Sequence, residues 1–253
     1  MKSVLPLALA AALCSVTPAA VAQTEVTVIG PGGVRSAVEK LIPGFEKKTG
    51  YKVKATFGSG IGTKQQVARG EAFDVPIVQP PYPEVVASGN VVAGSAKPLA
   101  TVSVGVAVRK GAPKPDISTP DAVKRTLLAA KSVTYPDPAV GAAAGVSFEE
   151  TLKKLGILEQ MQPKLKRARG GAAAMQAVAK GEAEIGLTFL SEMEEPGLEV
   201  AGPLPRAIST PTSLVGFVSA HAKDRKAAQA LLDYLSSPEA APVYRSVGME
   251  PGR

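Results

Sequence analysis

The glycine-rich segment GSGIGTKQQVARG, residues 58–70, places four glycines around the opening of a predicted helix. Two other loops, at 31–33 and 136–144, also consist largely of small residues and precede predicted helices. A helix N-terminus has unpaired backbone N–H groups and about half a positive charge, so it can bind an anion. We therefore predict that the helix starts after Gly33, Gly62 and Ala144 converge on an anion. The alternative is that these glycines serve tight turns only.

Basic side chains accompany these loops. Arg35 and Lys64 fall in predicted first helical turns, and Arg169 precedes the pair Gly170-Gly171. A cation near a helix N-terminus is unfavourable, and a bound anion would compensate for it. Because the guanidinium fork matches a carboxylate, a cluster of Arg35, Lys64 and Arg169 favours a small di- or tricarboxylate as the ligand. Each of the three can instead be a solvated surface charge.

Hydroxyl and aromatic side chains on the same loops offer further contacts. Ser59, Thr63 and Ser147 can donate to an anion, although each can instead cap the helix that follows. Tyr135 ends a predicted strand and either offers its phenol to the ligand or lies buried with a satisfied hydroxyl. Phe189 is predicted to form an apolar wall of the site or part of the core.

The sequence offers little for metal or nucleophilic chemistry. It contains one histidine, His221, and one cysteine, Cys14, so neither a zinc site nor a Ser-His-Asp triad is expected. Phosphate-loop and dinucleotide-binding fingerprints are also missing, and no cofactor is expected. The acidic run Glu192, Glu194 and Glu195 is predicted to form a solvated loop, and His221 to lie at the surface.

The charge and composition argue against nucleic acid as a partner. The chain has 29 Lys and Arg against 22 Asp and Glu, a net charge of +7, which modestly favours anionic ligands. It has no Trp and 4% aromatic residues, whereas nucleic-acid surfaces combine clustered basic residues with stacking aromatics.

The first residues have the pattern of a secretory signal peptide. Lys2 is followed by the apolar run 4–16 and then by Ala20-Val21-Ala22, a small-x-small cleavage pattern, which predicts a signal peptide over 1–22 and a mature start at Gln23. Cleavage would remove Cys14, so the exported protein would lack disulfides and depend on its core alone. We therefore expect a periplasmic protein.

Strand and helix patterns alternate along the remaining chain, which predicts an α/β fold with mostly parallel sheets and ligands at the carboxyl ends of the strands. The predicted strands are 25–29, 51–57, 74–78, 101–109, 132–135, 184–189 and 213–219. The predicted helices are 34–45, 63–69, 120–130, 146–155, 172–180, 225–235 and 238–247. We place a crossing between two lobes in the loop 110–116, and assign 23–104 with 207–253 to lobe I and 105–206 to lobe II.

Several segments resemble the type II periplasmic solute-binding proteins, and within them the molybdate-binding branch. They are FEKKTGYKVKATFGSG (45–60), QQVARGEAFDVPIV (65–78), YPDPAVGAAAG (135–145), AMQAVAKGEAEIGLTF (174–189) and LLDYLSSPEAAPVYRSVGM (231–249). The resemblance implies two Rossmann-like lobes with a ligand cleft between them. It also implies a monomer that passes a small anion to an ABC-type membrane transporter.

The sequence departs from the molybdate branch where that branch uses hydroxyls. A serine expected in the first loop falls at Gly33, a serine pair falls at Gly60 and Ile61, and a tyrosine falls at Phe189. Each lost hydroxyl donor is worth roughly 0.5–1.5 kcal/mol. We therefore predict a di- or tricarboxylate ligand taken up by a transporter, in preference to molybdate.

Two alternatives remain open. One is an enzyme like aconitate isomerase, which resembles this same family and shifts a proton within a tricarboxylate; its base would be Lys64, Tyr135 or Ser59. The other is a carrier of molybdate or tungstate. The predicted ligand-binding residues are Gly33, Val34, Arg35, Ser59, Gly60, Ile61, Lys64, Ala144, Gly145, Arg169, Gly171 and Phe189.

Overall fold

A computed structural model describes residues 24–252, so the predicted signal peptide and Cys14 lie outside the described residues. The strands of the first sheet are β1 (Glu25–Pro31), β2 (Lys52–Gly58), β3 (Val75–Val78), β4 (Lys97–Val102), β10 (Thr212–Gly216) and β11 (Met249–Pro251). They lie in the order β11-β4-β10-β3-β1-β2.

The second sheet is built from the middle of the chain. Its strands are β5 (Val104–Arg109), β6 (Val133–Pro136), β7 (Leu165–Ala168), β8 (Ile185–Phe189) and β9 (Leu198–Pro203). They lie in the order β7-β6-β8-β5-β9. The α/β fold with two sheet-based lobes is thus confirmed.

Helices connect the strands of both sheets. They are α1 (Arg35–Thr49), α2 (Gly60–Ala68), α3 (Pro83–Ala87), α4 (Pro120–Ala129), α5 (Ala143–Lys154), α6 (Leu158–Met161), α7 (Gly171–Ala179), α8 (Arg225–Leu235) and α9 (Ala241–Ser246). A short 3-10 turn, Gly32–Val34, links β1 to α1, and another, Leu190–Glu192, follows β8.

The expectation of mostly parallel sheets is wrong, because both sheets are mixed. β1 is parallel to β2 and β3, and β6 is parallel to β7 and β8. β10 is the strand in which the chain returns to the first sheet, and it is antiparallel to β3 and β4. In the second sheet β5 is antiparallel to β8 and β9. The parallel strands nevertheless carry the loops that form the cleft described below.

The predicted strand 101–109 is in fact two strands in different sheets. β4 ends at Val102 and β5 begins at Val104, so the chain crosses between the sheets at Ser103 and not in the loop 110–116. Alternating apolar residues continue through the crossing because both strands are buried, and the pattern therefore conceals the break. The lobe boundaries 23–104 with 207–253 and 105–206 stay a prediction.

Helix α1 shows how local sequence positions these loops. Its apolar residues Ala37, Val38, Leu41 and Phe45 recur at helical spacing and are buried against the first sheet. The helix ends at Gly50, which has a positive φ of 77° and donates its N–H to the carbonyl of Glu46. This packing holds the N-terminus of α1 at the carboxyl end of β1.

Candidate anion-binding cleft

A cleft of about 620 Å³ lies where the carboxyl ends of strands from both sheets meet. Its walls include residues at or just after the ends of β1, β2 and β3 from the first sheet and of β6, β7 and β8 from the second. The volume falls within the ~300–1,000 Å³ typical of small-molecule sites.

Four helices begin at this cleft: α1, α2, α5 and α7. None of the four has an acidic residue in its first turn, and α1, α5 and α7 have no side-chain cap. Only α2 is capped, because the Ser59 hydroxyl accepts from the N–H of Gly62. At α1, α5 and α7 the backbone N–H groups of the helix start are therefore left for a ligand, and the dipoles of all four helices favour negative charge.

The structure brings eight of the twelve sequence-predicted ligand residues into the cleft wall and leaves four outside it. The eight are Gly33, Arg35, Ser59, Gly60, Ala144, Arg169, Gly171 and Phe189. The four are Val34, Ile61, Lys64 and Gly145. Their roles as ligand contacts stay a prediction. The placement separates Lys64, which lies outside the cleft wall, from Arg35 and Arg169, which lie in it.

Lys64 does not belong to the cleft, which corrects the three-residue cationic cluster. Its ammonium donates to the carbonyl of Pro81 at 2.8 Å and lies 3.7 Å from a carboxylate oxygen of Glu84. Its side chain is only 16% exposed. Because α2 begins at Gly60, Lys64 lies one turn inside the helix, and these contacts within the first sheet's lobe explain its charge without a ligand.

The other three residues outside the cleft wall have structural positions. Val34 is fully buried in the core. Gly145 lets α5 start beside the end of β6, since a Cβ there would overlap the carbonyl oxygen of Pro136. Ile61 is 45% exposed, and its N–H donates to the carbonyl of Gly141 at 3.4 Å, so this amide already has an acceptor.

Arg35 and Arg169 are the basic side chains of the cleft wall. The Arg35 guanidinium lies 5.2 Å from the centre of the Phe57 ring, a cation–π geometry that fixes it at the end of β2. Within residues 24–252, neither arginine has a carboxylate within salt-bridge distance. Both are therefore available to an anionic ligand.

The prediction that the acidic run after β8 forms a solvated loop is wrong for Glu192, which packs inside the cleft, whereas Glu194 is exposed. Glu192, Glu194 and Glu195 all line the cleft, as does Glu39 from α1. Four carboxylates therefore face two guanidinium groups, and the expectation of a cation-rich cleft is also wrong. The helix N-termini supply partial positive charge beside these groups.

The Glu192 side chain is held in one position inside the cleft by its neighbours. Its carboxylate accepts from the Thr188 hydroxyl at 2.5 Å, and a Cβ on Gly32 would lie 3.0 Å from its Oε1. A Cβ on Gly171, the first residue of α7, would lie 2.6 Å from its Cδ. The side chain therefore depends on two glycines that leave it room.

The environment of Glu192 changes the acidity of its carboxyl group. Burial of the carboxyl raises its pKa above the usual value of 4.5, while the Thr188 hydroxyl, the backbone of Phe189 and the charge of Arg35 oppose this effect without cancelling it. A carboxylate with a raised pKa is a stronger base, and perturbed carboxyls in clefts are candidates for proton transfer.

Tyr135 is not in the cleft wall, which removes it as the candidate base. Its phenol donates to Glu149 at 2.7 Å and accepts from Arg167 at 3.1 Å, and the residue is fully buried. Burial, followed by the hydrogen bond to Glu149, raises the pKa of Tyr135 to about 12. This pairing belongs to the packing of α5 on the second sheet.

The departures from the molybdate branch are coupled to neighbouring side chains. A Cβ at Gly33 would lie 2.8 Å from the ring of Phe189, and a Cβ at Gly60 would overlap the amide oxygen of Gln79. Serines at these two positions would therefore not fit with the present neighbours. Sequence reasoning overlooked Gln79, although its place directly after the buried strand β3 is a usable signal.

Two further features of the described residues concern metal binding and membrane insertion. Residues 24–252 contain no group of three or more His, Cys, Asp or Glu that could hold a metal ion. No helix among them is long and apolar enough to cross a membrane.

Comparison with known proteins places this cleft in a family. The family model for bacterial extracellular solute-binding proteins matches residues 26–250. The chain belongs to this family. It is 35% identical to an aconitate isomerase from Pseudomonas sp., with 97% of this chain and 95% of that protein covered. It is 32% identical to the molybdate-binding protein ModA of Azotobacter vinelandii, covering 88% and 89%.

The fold comparison agrees with the sequence comparison. The solved periplasmic molybdate-binding protein of Azotobacter vinelandii superposes with a TM-score of 0.76 at 19% identity, covering 90% of this chain and 100% of that one. The resemblance to the type II periplasmic solute-binding proteins and their molybdate-binding branch is therefore confirmed. At this identity the superposition establishes the fold and not the ligand.

Proposed function

We propose that this protein binds aconitate, a propene-tricarboxylate, in the periplasm and interconverts its cis and trans isomers by a proton shift. The observation that carries the proposal is Glu192, a carboxyl with a raised pKa inside a cleft that otherwise offers backbone donors. An ionised carboxylate repels any bound anion, so a site that only holds an anion gains nothing from such a group. An isomerase needs a base at this place.

The proposed reaction uses Glu192 as both base and acid. Its carboxylate takes a proton from the methylene carbon, and the C–H electron pair forms a new double bond to the central carbon. The electron pair of the original double bond moves to the far carbon, which takes the proton back from Glu192. Because both ends of the ligand carry the same substituents, the shift regenerates aconitate as either geometric isomer.

The cleft provides the positive field that this reaction requires. Removing the proton spreads negative charge over an allylic carbanion and its carboxylates, and preorganised N–H dipoles stabilise such charge. Four helix N-termini together with Arg35 and Arg169 face this space. The carboxylates at Glu39 and Glu194 are exposed, and Glu194 is paired with Lys40, so solvent and this pairing weaken their repulsion.

The second candidate is a carrier that delivers a small di- or tricarboxylate to an ABC-type transporter, as a monomer. The match to the solute-binding family over residues 26–250 favours it. In this candidate the cleft closes on the same class of ligand without reacting. Both candidates share the periplasmic location proposed here, which fits the family and the predicted signal peptide.

The deciding experiment incubates the exported protein separately with cis-aconitate and trans-aconitate and follows both by proton NMR. We expect the two samples to converge on one isomer ratio. Glu192→Gln should slow this at least 10²-fold, the lower end of a general base's contribution, while tricarballylate still binds. Glu150→Gln, the same change at an exposed glutamate of α5, serves as the control.

Other outcomes distinguish the candidates. Binding of aconitate without any conversion would reject the isomerase and leave the carrier. A thermal shift with molybdate or tungstate alone, and none with carboxylates, would reject both in favour of an oxyanion carrier.

A further inference from the structure

One buried polar atom of the cleft has no partner. Three side-chain atoms within residues 24–252 are buried without a hydrogen bond: Thr63 Oγ1, Gln79 Nε2 and Ser209 Oγ. Of these residues only Gln79 lines the cleft, and it is 4% exposed. An unpaired buried donor costs about 1–3 kcal/mol, and a ligand acceptor at this wall would offset that cost.

The amide of Gln79 lies where two helices begin. It is packed against Gly60, the first residue of α2, and a Cβ at Gly60 would also lie 3.6 Å from the Cβ of Ala143, the first residue of α5. Glu192 instead lies against Gly32, in the 3-10 turn that precedes α1, and against Gly171, the first residue of α7. The cleft thus has one pair of helix N-termini beside the acid and another pair beside a neutral amide.

The absence of a side chain at Gly60 gives the amide its place. A serine there would overlap the Gln79 Oε1 and would displace the amide from this wall. Gly60, where the sequence departs from the molybdate-binding branch, and Gln79, which sequence reasoning overlooked, therefore depend on each other. The free Nε2 of Gln79 is a donor, and it carries no charge that would need a counter-ion.

We propose that Gln79 is a specificity-determining residue whose Nε2 donates to a ligand carboxylate that does not take part in proton transfer. This inference rests on the proposed function to the extent that the ligand carries more than one carboxylate. A carboxylate at the Gln79 wall would accept from the amide and from the uncapped N–H groups at the start of α5. Glu192 would then face a carbon of the ligand that is remote from the carboxylate held by Gln79.

The test compares affinities for three unreactive acids by calorimetry: tricarballylate, and two acids that each lack one of its carboxylates, glutarate and methylsuccinate. Gln79→Leu should raise the Kd for tricarballylate at least about tenfold, as expected for a hydrogen bond to a charged group. For at least one of the two truncated acids the substitution should have no effect. Gly60→Ser should weaken tricarballylate binding as well.

The control is Gln65→Leu, the same change at an exposed glutamine on α2, which should leave every Kd unchanged. The unliganded Gln79→Leu protein should have a Tm equal to or above that of the parent, because an unpaired buried donor is removed. A structural role for Gln79 would instead lower the Tm and weaken all three ligands alike, which would overturn the inference.

The two proposals fail separately. A Kd for tricarballylate within twofold of the parent in Gln79→Leu overturns the role of Gln79, even if aconitate is isomerised. A tenfold loss with no turnover of aconitate supports the role of Gln79 and rejects the isomerase. Binding of none of the carboxylates overturns both.

Discussion

The substitution Gly171→Ala tests whether the position of Glu192 controls the reaction. The new methyl group would lie 2.6 Å from the Glu192 Cδ and 2.5 Å from the Thr188 Oγ1, whereas ordinary contacts begin at 3.4 Å. The carboxylate must therefore move by roughly 1 Å, or lose its hydrogen bond from Thr188. Helix α7 itself tolerates alanine, which is a better helix former than glycine.

The size of the effect follows from this displacement. A misplacement of about 1 Å in a reacting group can cost ~10²-fold in rate, which corresponds to about 2.7 kcal/mol at 1.36 kcal/mol per tenfold change. We expect kcat for aconitate isomerisation to fall by about this factor. The Kd for tricarballylate should change much less, since the backbone donors of α7 stay in place.

The assay measures initial rates from both aconitate isomers, with Tm recorded to confirm folding. Gly170→Ala is the matched control, because a Cβ on this neighbouring glycine meets nothing within 4 Å. Its φ of 163° is extended backbone that alanine can adopt. If Gly171→Ala were as active as Gly170→Ala, the assignment of Glu192 as the acid–base group would be refuted.

Four further substitutions test residues in and around the cleft. Thr188→Val removes a hydrogen-bond donor that lowers the pKa of Glu192, so this pKa should rise further. The acid limb of the kcat/KM profile should therefore move to higher pH. An unmoved limb would contradict the assignment of Glu192 as the base. Arg35→Ala should weaken tricarballylate binding by at least ~1.5 kcal/mol. Lys64→Ala should leave the calorimetric Kd within about threefold of that of the parent protein. A larger loss of affinity in Lys64→Ala than in Arg35→Ala would return Lys64 to the site. Tyr135→Phe should lower the free energy of unfolding in urea by roughly 1 kcal/mol with turnover unchanged, and a loss of turnover would return its phenol to the mechanism.

The general form of the site was predictable because it depends on backbone periodicity. Alternating strands and helices place loop residues such as Gly33, Gly60 and Gly171 at the carboxyl ends of strands, whatever side chains surround them. The same rule could have found Gln79, which follows β3 directly.

Side-chain destinations were not predictable in the same way. Lys64 lies one turn inside α2, and only the tertiary position of Pro81 directs its ammonium away from the cleft. The acids that follow β8 have the composition of a solvated loop, and only the packing of the two lobes makes Glu192 a cleft residue. The crossing at Ser103 was hidden because two consecutive buried strands have the same alternation as one.

The two sides of the cleft are joined to each other with unequal strength. On one side Ser191 donates its hydroxyl to the carbonyl of Gly33 at 2.7 Å, and Ser36 donates to the carbonyl of Ser191 at 2.9 Å. The N–H of Leu190 also donates to Ser103, where the chain crosses between sheets. On the other side the hydrogen bond from Ile61 to Gly141 is longer, at 3.4 Å.

We therefore expect that a rotation of the lobes to admit a ligand opens most easily between α2 and α5, with its axis near Ser103. Glu192 follows Ser191 directly and stays close to that axis, whereas Gln79 and the starts of α2 and α5 lie on the side that separates. The acid–base group then keeps its surroundings through each opening. In the proposed reaction, each turnover would then rebuild the wall that includes Gln79.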